Sequence, residues 1–89
     1  MSELMIEQRT TTADEQHACQ QWSLWESGNI EEFNYDYDQD VEFIVQQGAA
    51  IIRTTSGEQM AINAGKRVII RAGVSACWEI TAPIVNRYR

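Results

Sequence analysis

Between Trp22 and Arg89 there is no stretch long enough, and helical enough in pattern, to carry the chain from one strand to a parallel neighbour. A parallel crossover needs roughly a dozen residues or more, usually a helix. Parallel α/β architectures are therefore excluded. What fills the span is a series of short strand-like runs: "WSLWES", "EFNYDYD", "VEFIVQQ", "AAIIRTT", "QMAIN", "RVIIR", "ACWEI" and "PIVNRYR". Between them stand turn signals, with Gly48, "SGE", "AGK" and "AGVS" the clearest. About eight short strands at close, regular spacing favour an antiparallel sandwich or barrel.

The run from Phe33 to Asp38 alternates strictly. Phe33, Tyr35 and Tyr37 share one side of it, and Asn34, Asp36 and Asp38 the other. Period two predicts one buried and one wet face. Pro83, the only proline, falls at the start of the last run, where a missing N–H does least harm. Residues 1–21 differ in character and read as a short N-terminal arm before a barrel over 22–89. Thr12 and Glu15 fit a capping box, which predicts a turn of helix near Thr12 to Cys19.

Composition narrows the function. The chain has 89 residues, enough for one domain with a small core. Thirteen acidic side chains face seven basic ones, for a formal charge of −6, and the longest basic run is the pair Lys66–Arg67. Phosphate recognition needs clustered cations, so nucleic acid and anionic membrane are not expected partners. Cys19 and Cys77 stand far apart and suggest two reduced thiols, one of them buried. No secretory signal and no run of membrane-spanning length is visible, so a cytoplasmic protein is expected.

Two segments, "YDYDQDVEFIVQQGAA" and "GEQMAINAGKRVIIRAGVSACWEI", have the order and spacing of a paired motif. Together with "WES", the 33–37 run, Gly48, Gly57, Gly65, Gly73, Trp78 and Pro83, they resemble the cupin superfamily. The likeness runs from about Trp25 to Tyr88. It is greatest to small single-domain cupins related to ureidoglycine aminohydrolase and to ethanolamine-utilisation cupins. The resemblance implies a double-stranded β-helix, or jelly-roll barrel, and a homodimer.

In the first cupin motif two histidines separated by one residue precede a glutamate and then a glycine. Anchored on Gly48, the glutamate place is Val41. The histidine places are Tyr35 and Tyr37 or, with the longer spacing, Asn34 and Asp36. The shared apolar face with Phe33 favours the tyrosines. In the second motif, Gly65 and Gly73 match, and the proline, histidine and asparagine places hold Arg71, Ala76 and Ile80. Transition metals need imidazole, thiolate or carboxylate donors converging on one point. Val41 and Ala76 offer none, and a phenol must first lose a proton. His17, the single histidine, lies in the arm. No metal and no cofactor is expected.

The expected binding residues are Tyr35, Tyr37, Val41, Ala76 and Trp78 inside the barrel, with Arg71 near its mouth. The rings offer an aromatic wall for a small organic molecule; equally, they can serve as core packing with their hydroxyls bonded internally. Asp36, Asp38, Asp40 and Glu42 read as a solvated acidic face. Trp22 and Trp25 read as packing the arm against the barrel or a second subunit. Family analogy also keeps open a metal-dependent amidohydrolase, isomerase or dioxygenase, and a protein-interaction module remains a third reading.

Overall fold

A computed structural model of the chain describes residues 6–89. Seven antiparallel strands form one sheet: β1 (Ile6–Thr10), β2 (Ser23–Glu26), β3 (Glu32–Asp36), β4 (Val41–Thr54), β5 (Gln59–Asn63), β6 (Lys66–Ile70) and β7 (Ser75–Tyr88). The helix α1 (Ala13–Ala18) and a 3₁₀ turn, Cys19–Gln21, complete the described elements. No helix among the described residues is long and apolar enough to cross a membrane. The all-β jelly-roll architecture expected from the strand spacing is what the chain adopts.

Two long strands make the barrel. The first half of β4 pairs with β6 and with the last residues of β7, and its second half pairs with β5 and the first half of β7. β1 extends the first leaf beyond β6, and β2 extends it beyond the end of β7. β3 extends the second leaf beyond the start of β7. The sheet thus folds over on itself along a crease in β4 and β7.

The crease has a local cause. Register shifts interrupt the β4–β7 ladder between Val45 and Ala50. Gly48 sits there at φ +90°, and a Cβ on it would lie 2.0 Å from the carbonyl oxygen of Pro83. Only a residue without a side chain fits. A bulge also changes which side chains point inward. Val41, Phe43 and Val45 face the core before it, and Ala50 and Ile52 after it. The expected turn at Gly48 is therefore a bulge inside one strand, and the expected "ACWEI" and "PIVNRYR" strands likewise run together as β7.

The N-terminal arm is more than a helical turn. The capping box forms: Glu15 N–H donates to Thr12 Oγ1 (3.2 Å) and Thr12 N–H to Glu15 Oε1 (3.0 Å). Before it, β1 adds an edge strand to β6. In β1 only Ile6 is buried, so the segment shows no alternation to detect. Gln46 ties the helix to β4: its amide donates to Gln16 Oε1 (3.2 Å) and Cys19 Sγ (3.3 Å) and accepts from Gln20 Nε2 (3.1 Å). Ile44, on the same face of β4 as Gln46, is fully buried there.

Candidate functional site

The alternation in β3 carries Phe33 and Tyr35 inward, and the loop that follows delivers Tyr37. Its backbone is clamped to the turn before β7: Tyr37 N–H donates to Val74 O (2.8 Å) and Gly73 N–H to Tyr37 O (2.7 Å). From the partner strand comes Trp78, 3% exposed. Phe33 stacks on it at 5.4 Å between centroids and 21° between planes. Trp25 meets it edge-on at 6.1 Å and Phe43 tilts against it at 5.5 Å. Rings of this kind attract through their edges and faces as well as through buried area.

These rings do not close up completely. They border a cavity of about 240 Å³ lined by Trp25, Phe33, Tyr35, Tyr37, Val41, Phe43, Trp78, Asn86 and Tyr88. Tyr35 and Tyr88, about half exposed, stand at its mouth. Next to it lies a second hollow of about 210 Å³ that shares Tyr35, Tyr37, Val41 and Tyr88 and adds Asp38, Gln39, Asp40 and Arg89. The inner space is aromatic, and the outer one is polar with two carboxylates.

Inside, polar groups are few. Trp78 Nε1–H donates to the Tyr37 hydroxyl (3.0 Å). Burial, more than any other influence, pushes the Tyr37 phenol up to about 12. It therefore keeps its proton, which has no acceptor among the described residues. Asn86 is 4% exposed and its Oδ1 has no hydrogen-bond partner.

Four of the six sequence-derived candidates, Tyr35, Tyr37, Val41 and Trp78, come together around the cavity. Two do not. Ala76 is buried in the core between Tyr35 and Thr54 without lining the space. Arg71 sits on the turn before β7, paired with Glu7 (3.1 Å) and Asp40 (3.6 Å), so its charge is neutralised away from the cavity. Trp25, expected as packing for the arm, is instead a wall of the cavity; Trp22 lies under the Arg89 guanidinium, 4.3 Å from its ring centroid. Phe43, Asn86 and Tyr88 were not singled out, although parity pointed to them. Phe43 shares a strand face with Val41, and Asn86 and Tyr88 share one with Ile84.

The acidic row also differs from expectation. Only Asp36 lies in β3; Asp38 and Asp40 belong to the following loop. Asp40 accepts from Ala72 N–H (2.8 Å), and Glu42 pairs with both Arg67 and Arg89. Asp36, Asp38 and Asp40 are exposed, as a solvated face requires, and ion pairs are added at Asp40 and Glu42.

The residues present do not suit a resident metal. At the places the sequence reading assigns to the metal ligands stand Tyr35, Tyr37, Val41 and Ala76, or Asn34 and Asp36 with the longer spacing, and Tyr37 resists deprotonation. Among the described residues, no group of three His, Cys, Asp or Glu side chains is placed to hold an ion. Thiol chemistry has no support either. Cys19 is buried against Gln16 and Gln46, and burial raises its pKa. Neither cysteine has His17 as a hydrogen-bond partner among the described residues.

The model of the EutQ-like cupin domain family matches residues 14–88. No curated protein sequence matches this chain. Among solved structures, a DUF861 family protein from Thermotoga maritima superposes with a TM-score of 0.87 at 21% identity, covering 94% of this chain and 97% of that one. A putative ethanolamine utilization protein Q from Salmonella typhimurium gives 0.62 at 17% identity, covering 93% and 66%. A DUF1255 protein of unknown function from Acidithiobacillus ferrooxidans gives 0.62 at 17% identity, covering 65% and 56%. At these identities the likeness is one of fold.

Proposed function

The chain belongs to the EutQ-like cupin family, and from that footing we propose that it binds a small organic molecule in its aromatic cavity without metal chemistry. The observation that carries the reading is the cavity itself. Seven of its nine lining residues are aromatic, and none is charged. Ligand sites are concave, mostly apolar and furnished with a few polar groups; Tyr37 and Asn86 supply those here. At about 240 Å³ the space is below the roughly 300–1,000 Å³ of drug-sized sites, which suits a ligand of one or two rings.

No catalytic step is assigned. The donor set for a metal is missing at the motif positions, and no nucleophile or general base lines the cavity. Pairing of two copies belongs to the same reading: β2 is an edge strand, and Leu24 on it is half exposed. Sedimentation analysis distinguishes a dimer from a monomer. For the cavity, the test is thermal unfolding of chelator-treated protein against a panel of small planar aromatics. The reading expects a concentration-dependent rise in Tm for some members. A panel with no stabilising member contradicts it.

A further inference from the structure

The aromatic cavity shares a wall with the outer hollow: Tyr35, Tyr37, Val41 and Tyr88 border both. Tyr35 and Tyr37 stand 4.7 Å apart between ring centroids, tilted by 56°. A cation within about 6 Å of a ring face is drawn to its negative side. The outer hollow adds Asp38, Asp40 and Arg89 as its charged residues. Arg89 is already engaged, by Glu42 at 2.6 Å and by the Trp22 ring at 4.3 Å. Asp40 faces Arg71 at 3.6 Å and accepts from Ala72 N–H at 2.8 Å. Asp38 alone of the three has no ion-pair partner among the described residues. An exposed acid on a flat surface means little; this one stands beside phenol rings at the mouth of an apolar space.

Resting on the binding reading above, we infer that the ligand is an arylalkylamine, its ring in the inner cavity and its ammonium group carried by a short arm into the outer hollow. The ring belongs inside because of the walls. Trp25, Phe33 and Trp78 lie within 6.1 Å of one another, and their faces and edges suit another π-system. The charge belongs outside. An ammonium drawn fully inward would shed its water with no carboxylate among the residues of the inner cavity. At the mouth it stays partly hydrated and meets Asp38 together with Tyr35 and Tyr88, both about half exposed. A carboxylate on the same arm would approach Asp38 and Asp40 in a chain of net charge −6.

Phenethylamine, phenethyl alcohol and hydrocinnamate test this, because they share a phenyl ring and a short arm and differ in the charge at its end. Each is titrated into the full chain at low salt while the Trp78 Nε1–H signal is followed by NMR. The expected result is the amine binding about fivefold more tightly than the alcohol, the sum of one exposed ion pair and one cation–π contact, with the carboxylate weakest. Added salt narrows the gap. Asp38 is exposed on a loop, so Asp38→Asn is expected to fold, and in it the advantage of the amine falls to about twofold. Equal binding of amine and alcohol overturns the cation inference and leaves the cavity reading standing. Tightest binding by hydrocinnamate overturns it as well and makes Arg89 the anchor. An advantage unchanged in Asp38→Asn also overturns it. Binding by none of the three overturns the inference alone if a planar aromatic still raises Tm, and the cavity reading with it if none does.

Discussion

The barrel interior has two unlike sides. Where β1 and β6 face β5 and the second half of β4, it is filled by Ile6, Ile52, Ile62, Val68 and Ile70, each no more than 3% exposed. Where β2 and the end of β7 face β3, it is lined by Trp25, Phe33, Tyr37, Phe43 and Trp78 around a void. Branched aliphatic side chains interlock to the density of an organic crystal. Large rigid rings meeting at angles of 21° to 61° leave a gap between them. The first side is also laced shut, by Gln8 Nε2 donating to Ala61 O (3.0 Å) and Thr11 N–H to Gly65 O (2.9 Å). One side supplies stability, and the other trades some of it for a space.

The largest effect is expected at the crease that both sides share. Gly48→Ala places a methyl group on the Pro83 carbonyl and forces a left-handed backbone on alanine. A loss of about 4 kcal/mol or failure to fold is expected in urea titration. A near-neutral result would mean that β4 and β7 can crease elsewhere.

Truncation on the packed side comes next. Ile62→Ala, at a side chain 2% exposed, should cost about 3 kcal/mol by the same measurement. A cost below about 1 kcal/mol would place slack on the side described as full.

On the aromatic side the sharpest signature is alkaline. The Tyr37 phenol is raised from about 10 to about 12, chiefly by burial. The folded chain holds that proton more tightly than the unfolded chain does. Stability from this source is intact below about pH 10 and declines as pH rises through 12. An ultraviolet titration of tyrosinate should show a late phase that Tyr37→Phe removes. Its persistence in the variant would show that another phenol is the buried one.

The smallest effect on stability belongs to the mouth. Tyr35→Ala should change unfolding free energy by less than about 0.5 kcal/mol, since the side chain is 52% exposed. The same change should weaken binding of a ring ligand. A large stability loss with unchanged binding would make Tyr35 a core residue.

Much of this contrast was legible in the sequence. The strict alternation around Phe33, Tyr35 and Tyr37 placed three of the lining rings, and the turn glycines marked the course of the chain. Gly48 misled because a turn and a bulge ask for the same positive φ, and only the ladder on both sides tells them apart. The edge strand β1 was invisible because a strand at a sheet edge needs just one inward anchor, Ile6. Asn86 and Tyr88 escaped because a cavity gathers residues from strands distant in sequence. Their parity with Ile84 gives the face and nothing about which side of the barrel they reach. Arg71 looked available for a ligand because Glu7, its carboxylate partner, lies 64 residues away along the chain.

The most direct test is a crystal structure of chelator-treated protein soaked with a small planar heteroaromatic such as indole. The account predicts ring-shaped density bordered by Trp25, Phe33, Tyr37 and Trp78. Rings collapsed onto one another with the space gone, or a ligand that enters only after a divalent metal is restored, would contradict it.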